Sequence, residues 1–357
     1  MKNKHIIRNC IIILLLVILC ILGYYHKAVY MVFKNLTAST KNIDTGDEWN
    51  NGESYLNLPY AEDSETQYLD LYVPYTEDGS KPWLFVLVHG GGFITNDSQS
   101  RQAQLMYRYF RDNGYACATV NYRLAQEEPF PGAVCDVKAA VRFLKAHSAE
   151  YGYDASKVAI WGESAGGYLA VIASVTNDDE FMDVNYIGQE EYEAEVGAAS
   201  AKVDVCVDYY GCLELGIKDD DWNTLKVPGI IIDIANSWLH TDVLDGYSDV
   251  ESFWLRKETE SMTADESAYS DIYAYAKENL SEDSDMKFWI AHGNCDITVP
   301  ILQSDRFYSF LCEAIGEENV VYNIVEGAGH AGDIMYSDVE LLKIKQYLDG
   351  EFNLYYH

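Results

Sequence analysis

The stretch Trp161-Gly162-Glu163-Ser164-Ala165-Gly166-Gly167 follows the apolar run Lys157-Val158-Ala159-Ile160 and precedes an Ala/Leu/Val-rich helical pattern over residues 168–175. A short strand, then G-x-S-x-G, then a helix is the order typical of a nucleophile elbow. A serine on such a sharp turn needs neighbours almost without side chains, and the flanking glycines supply them. The sequence therefore predicts that Ser164 is an exposed nucleophile between a strand and a helix.

A second motif lies upstream, where the apolar run Trp83-Leu84-Phe85-Val86-Leu87-Val88 leads into His89-Gly90-Gly91-Gly92-Phe93. Three glycines after a buried strand form a loop whose backbone N–H groups can turn toward one point, as an oxyanion hole requires. We expect the N–H groups of Gly91 and Gly92 to hold the oxyanion together with that of Ala165.

A third motif lies downstream, where the apolar strand at residues 288–291 is followed by Asp296. A helical stretch (303–315), a strand (320–325) and His330 come next. The order Ser164, Asp296, His330 is the one that α/β-hydrolases use, and it differs from the orders in the chymotrypsin and subtilisin folds. The sequence predicts a triad of these residues, with Asp136, Asp208 and His292 as weaker candidates.

Together these motifs resemble those of α/β-hydrolases of the esterase/lipase type with an HGGG loop, the group similar to hormone-sensitive lipase. Within it the chain is most similar to the BD-FAE branch of carbohydrate esterases (bifunctional acetylxylan and feruloyl esterases). The resemblance covers residues 56–348 and includes Gln67-Tyr68-Leu69-Asp70-Leu71-Tyr72-Val73-Pro74, Val120-Asn121-Tyr122-Arg123-Leu124, Phe130-Pro131-Gly132-Ala133-Val134-Cys135-Asp136 and Val207-Asp208-Tyr209-Tyr210-Gly211. It implies a serine carboxylesterase acting on short-chain acyl esters, including acetyl or feruloyl esters of carbohydrates, without a metal or organic cofactor.

The alternation of strands with helical stretches along the chain predicts an α/β fold with a mostly parallel central sheet and helices on both faces. We expect one catalytic domain over residues 35–357, with residues 212–285 as a helical insertion near the active site. This insertion is far longer than a crossover needs, and it is predicted to act as a lid or a cleft wall. Its aromatic residues could contact substrate or only pack the insertion on the body; they are Trp222, Trp238, Phe253, Trp254, Tyr269, Tyr273 and Tyr275.

The chain start is compositionally distinct, with five basic and no acidic residues in positions 1–34 and an apolar run over residues 10–22. A basic stretch before an apolar run is typical of an export signal or membrane anchor. No good cleavage site follows. We therefore predict a single-pass N-terminal anchor over residues 1–34 with the catalytic domain outside the cytoplasm; secretion after signal cleavage is the alternative.

The remaining residues carry 20 basic and 57 acidic side chains. Such a charge repels nucleic acid and anionic lipid, so it argues against nucleic-acid partners. The acidic runs lack the ligand spacing of a calcium loop and are interpreted as solvated surface. Three further polar residues are interpreted as structural: His89 as a hydrogen-bonded residue, Asp136 as a partner of the Asn121–Arg123 segment, and Glu163 as an orienting group.

Two other functions remain open. A serine exopeptidase related to the prolyl oligopeptidases shares the elbow and the triad order, but only about 30 residues separate the predicted anchor from the core, which leaves no room there for a β-propeller. A non-catalytic α/β-hydrolase scaffold acting as a binding module would usually have lost a triad residue or the glycine loop. The chain keeps both, which favours an enzyme.

Overall fold

An eight-stranded sheet forms the centre of the computed structural model, in the order β1-β2-β4-β3-β5-β6-β7-β8. The structure describes residues 49–185, 196–215, 218–228 and 244–352, together with residues 25, 26, 28, 30, 31 and 34. The strands are β1 (Gly52–Pro59), β2 (Tyr68–Pro74), β3 (Trp83–Val88), β4 (Ala116–Val120), β5 (Asp154–Glu163), β6 (Val205–Tyr209), β7 (Lys287–Gly293) and β8 (Val320–Val325). β2 pairs antiparallel with β1 and β4, and all other pairs are parallel. The predicted mostly parallel sheet is confirmed.

Helices cover both faces of this sheet, because successive strand residues point to opposite sides. Along β3, for example, Leu84, Val86 and Val88 join one hydrophobic core, and Phe85 and Leu87 join the other. The helices of the body include α1 (Arg101–Asp112), α2 (Gly132–Ala146), α3 (Ser148–Tyr151), α4 (Ala165–Val175), α9 (Ile301–Ile315) and α10 (Asp338–Glu351). α1 and α10 pack on one face, whereas α2, α4 and α9 pack on the other.

The part of the predicted insertion that the structure describes contains four short helices joined by turns and loops. Its described helices are α5 (Lys218–Leu225), α6 (Val250–Leu255), α7 (Ala264–Ala268) and α8 (Ile272–Asn279). α8 lies against α4, the helix that follows the elbow. Of its aromatic residues, Trp222, Phe253 and Trp254 are buried, so these three pack the insertion on the body. Trp238 lies outside the described residues.

The predicted membrane segment (1–34) lies almost entirely outside the described residues. In the part of the chain that the structure describes, no helix combines the length and apolar character that a membrane crossing requires. Two residues near the end of the predicted segment, Ala28 and Met31, are buried in a small cluster with Trp222, Val227 and Cys295.

Candidate active site

The elbow has the geometry that its sequence predicts. β5 ends at Glu163, α4 begins at Ala165, and Ser164 between them has a φ of 55° and a ψ of −120°. A Cβ at Gly162 would lie 2.0 Å from the carbonyl oxygen of Gly166, so any larger residue would collide with the first turn of α4. The strand and helix can therefore close around the serine only with glycine there.

Three strands deliver the predicted triad to one edge of the sheet. Ser164 follows β5, Asp296 follows β7 and His330 follows β8, and the carboxyl ends of parallel strands lie at the same edge. His330 Nε2 lies 3.1 Å from Ser164 Oγ, and its Nδ1 lies 2.7 Å from Asp296 Oδ2. The structure thus joins the three residues in one hydrogen-bonded chain.

Asp296 is held as an anion. Its Oδ1 accepts the backbone N–H groups of Thr298 and Val299 at 2.7 and 2.9 Å, and its Oδ2 faces His330. Burial raises the pKa of this carboxyl, but His330 and His292 outweigh burial and leave its pKa well below its usual range. A carboxylate that stays charged orients the His330 ring and stabilises its protonated form.

The glycine loop approaches the elbow from β3. Gly91 and Gly92 have φ angles of 115° and 60°, a backbone conformation that favours glycine. Among the described residues, no acceptor takes the N–H of either glycine or that of Ala165 at the start of α4. Three unpaired donors, two on the glycine loop and one at the elbow, are the kind of group that an oxyanion hole requires.

Glu163 connects this loop to the elbow. Its buried carboxylate accepts the Gly90 N–H at 3.0 Å and the Tyr210 hydroxyl at 3.0 Å. Burial raises the pKa of Glu163, and His330 together with these two hydrogen bonds opposes that rise. The orienting role predicted for Glu163 fits these contacts.

Several neighbours of the site are not predicted by the sequence patterns. The Tyr210 ring lies 4.7 Å from the His330 ring, although only its position after β6 hinted at this. Phe93 of the glycine loop stacks on Trp254 of the insertion at 3.8 Å and 5°. No spacing rule predicts that pair, because 161 residues separate its members.

Other predicted polar residues have structural contacts. His89 Nδ1 lies 2.7 Å from the Gly90 carbonyl oxygen, and burial lowers its pKa to about 4. Asp136 accepts hydrogen bonds from the backbone and guanidinium of Arg123, which confirms its predicted partner. Among the described residues, no group of three His, Cys, Asp or Glu side chains could hold a metal ion.

The chain is similar in sequence and fold to known proteins. The BD-FAE family model matches residues 69–311. LipM of Mycobacterium tuberculosis carries the name probable carboxylic ester hydrolase. It is 28% identical to this chain over 283 residues, which are 78% of this chain and 56% of LipM. A truncated carbohydrate esterase from gut microbiota superposes with a TM-score of 0.66 at 22% identity, covering 85% of this chain and 98% of that one. The butyrate-bound esterase Est2 of Thermogutta terrifontis gives a TM-score of 0.57 at 21% identity, over 86% of this chain and 96% of Est2.

The sheet order, the elbow and the likeness to these structures define an α/β-hydrolase. Because the BD-FAE model matches about two thirds of its length, the chain belongs to the BD-FAE family. It spans only 56% and 59% of the lengths of LipM and of a further relative, the esterase LipC of the same organism.

Proposed function

We propose that this protein is a serine carboxylesterase that hydrolyses short-chain acyl esters through Ser164, His330 and Asp296. The observation that carries the proposal is the hydrogen-bonded chain from Ser164 Oγ through both nitrogens of His330 to Asp296 Oδ2. The named activities of LipM and LipC, which are ester hydrolysis, support it.

In the proposed reaction Ser164 Oγ attacks the ester carbonyl carbon, and its proton passes to His330 Nε2. The N–H groups of Gly91, Gly92 and Ala165 stabilise the oxyanion, and in comparable sites one such donor contributes about 3–4 kcal/mol. The tetrahedral intermediate expels the alcohol, which takes the proton from His330 and leaves an acyl-serine. His330 then removes a proton from water, the hydroxide attacks the acyl group, and the acid is released as Ser164 regains its proton.

The proposed substrates are short acyl esters, including acetyl or feruloyl esters on carbohydrate. Family membership, the carbohydrate esterase among the structural neighbours and the butyrate in Est2 support this class. Among the described residues of the insertion, Tyr269 is the one large apolar side chain that is mostly exposed. A long-chain lipase needs a wide apolar surface at the lipid interface, so these residues favour an esterase.

The substrate proposal is tested with nitrophenyl esters of increasing acyl length. We expect kcat/KM for acetate or butyrate to exceed that for palmitate by at least about tenfold, equivalent to about 1.4 kcal/mol in transition-state binding. A preference for palmitate, or activation by an oil–water interface, would replace the esterase proposal with a lipase. Hydrolysis of acetylated xylan or feruloylated sugars at rates comparable with those of the synthetic esters would support the carbohydrate part.

Two further measurements separate the other functions. A fluorophosphonate probe should label the parent and the control Ser174→Ala, whose hydroxyl bonds within α4 to Ala170, but not Ser164→Ala. Absence of labelling and of ester hydrolysis in the parent would favour a binding module. Faster cleavage of peptide nitroanilides than of esters would favour an exopeptidase.

We also propose that residues 1–34 anchor the protein in the cytoplasmic membrane with the catalytic domain outside. The support is the basic start, the apolar run at residues 10–22 and the acidic remainder. Protease added to intact cells should then remove the catalytic domain. Protection of that domain, or a soluble mature protein that begins near Tyr24, would contradict the anchored topology.

A further inference from the structure

A second histidine, besides His330, contacts the triad acid. His292, at the end of β7, is fully buried, and its Nε2 lies 3.4 Å from Asp296 Oδ2 and 3.1 Å from the Val299 carbonyl oxygen. Its Nδ1 lies 2.7 Å from Ser304 Oγ on α9. The order of motifs makes His292 a weaker candidate for the base than His330, and these contacts place it next to Asp296.

The surroundings determine which nitrogen of His292 carries a proton. Nε2 has two acceptors within reach, the Val299 carbonyl oxygen and Asp296 Oδ2, and neither can donate. Nε2 must therefore be protonated, since a bare nitrogen there would face two oxygen lone pairs. Ser304 can donate to a bare Nδ1 or accept from a protonated one, so Nε2–H is present in both charge states of the ring.

We propose that His292, oriented by Ser304, is a positioning residue for the triad acid. This proposal rests on the proposed esterase mechanism. With His292 in place, N–H groups lie near both carboxylate oxygens of Asp296: those of Thr298 and Val299 at Oδ1, and those of His330 at 2.7 Å and His292 at 3.4 Å at Oδ2. A carboxylate held in this way has one orientation, and only one lone-pair direction remains for His330. Among the described residues, no hydrogen bond or ion pair joins His292 to Ser164 or to the glycine loop, so we infer that it acts through Asp296.

Several ionisable groups face this histidine. Asp296 and Asp208 are its acidic neighbours, from the loop after β7 and from β6, and the Tyr210 ring lies 6.3 Å away. Burial raises the pKa of Asp208 to about 7, although His292 and the Gly211 N–H oppose that rise. If the His292 donor is removed, the negative charge of Asp296 acts more strongly on His330. The protonated form of His330 is then favoured, whichever charge His292 carries.

The test compares His292→Leu, which removes the donor, with His292→Gln, whose amide N–H can replace it. We expect His292→Leu to lower kcat by about tenfold to hundredfold, the usual effect of losing a hydrogen bond to a charged group. KM should change little because His292 is buried away from substrate. His292→Gln should recover most of the loss. His147→Gln is the matched control, since this buried histidine bonds the Phe143 carbonyl within α2.

A purely structural role would leave the pH profile unchanged, so the second readout is the acid limb of kcat/KM. We expect this limb to move to higher pH in His292→Leu, and the titration of His330 followed by NMR to move in the same direction. The NMR titration needs no turnover, so it tests this inference even if the parent hydrolyses no ester. If the parent protein hydrolyses no ester, the proposed function is refuted, whereas the inference about His292 is still tested by the NMR titration.

Ser304→Ala provides the milder variant if His292→Leu does not fold. It leaves the ring but removes the partner of Nδ1, and we expect a fall in kcat of about twofold to fivefold with unchanged KM. Ser309→Ala on the same helix is its control, because that hydroxyl donates to the Asp305 carbonyl oxygen one turn earlier in the helix. Parental kcat and an unmoved acid limb in folded His292→Leu would overturn the proposal. If His292→Leu does not fold, parental kcat in folded Ser304→Ala would overturn it.

Discussion

Replacing Asp296 with asparagine tests the proposed triad most directly, because this change alters one atom and hardly alters volume. The asparagine oxygen can keep the N–H groups of Thr298 and Val299, which Asp296 Oδ1 accepts. Its NH2 group then lies where Oδ2 lies now, 2.7 Å from His330 Nδ1. Two donors would face each other there, so His330 must move its proton from Nδ1 to Nε2.

The size of the effect follows from that change of tautomer. A protonated Nε2, 3.1 Å from Ser164 Oγ, cannot accept the serine proton. The same substitution in a serine protease lowers kcat by about ten-thousandfold, which corresponds to about 5 kcal/mol in the activation barrier. We expect a loss of that order in Asp296→Asn. The alternative amide orientation would keep an acceptor for His330 but set the NH2 group against two backbone N–H groups.

The assay is hydrolysis of nitrophenyl acetate, with thermal unfolding and circular dichroism to show that the variant is folded. Asp305→Asn is the control. Asp305 lies on α9 and accepts a hydrogen bond from the Tyr322 hydroxyl at 2.8 Å. A folded Asp296→Asn protein with more than about one tenth of the parental kcat would refute the tautomer argument. Another carboxylate would then have to orient His330.

Three further outcomes are expected. Glu163→Ala leaves the Gly90 N–H without its acceptor and should lower kcat by about tenfold or more. Glu163→Gln should keep most of the parental kcat. Equal kcat in the two variants would contradict the orienting role of Glu163. Trp254→Ala removes a fully buried ring and should lower the free energy of unfolding by about 3–5 kcal/mol in urea titrations; a loss below about 1 kcal/mol would mean that the insertion does not depend on this ring. Burial holds the pKa of His89 near 4 in the fold, against 6.5 in the unfolded chain, so the unfolded state binds more protons between these values. The free energy of unfolding should therefore fall as pH drops from about 6.5 to 4, by up to about 3 kcal/mol from this residue, and His89→Gln should flatten that slope.

Features set by neighbouring residues were predictable from the sequence. The strand at Trp83–Val88 and the strand at Val320–Val325 have the predicted bounds, because apolar runs of strand length end at turn residues there. The helix after the elbow begins at Ala165, three residues earlier than the apolar pattern indicates. Its first turn consists of small residues, which carry no periodic signal.

Features that depend on distant residues were not predictable. The order of the motifs predicts that Ser164, Asp296 and His330 lie at one edge of the sheet. It does not indicate that His292 contacts Asp296 at 3.4 Å. That contact depends on how the loop after β7 turns back toward its own strand. The stacking of Phe93 on Trp254 likewise arises from packing between the insertion and the glycine loop, for which a single sequence gives no periodicity or spacing.

The stacked pair of Phe93 and Trp254 limits the exchange of the insertion between relatives in the family. Phe93 belongs to the loop that carries Gly91 and Gly92, and Trp254 belongs to the insertion and also packs edge-on against Tyr168 at 5.3 Å. An insertion transplanted from a relative without a flat ring at position 254 would leave Phe93 without its stacking surface. Positions 93 and 254 should therefore be transferred together when chimaeras with new substrate ranges are built, and natural recombination between relatives should meet the same restriction.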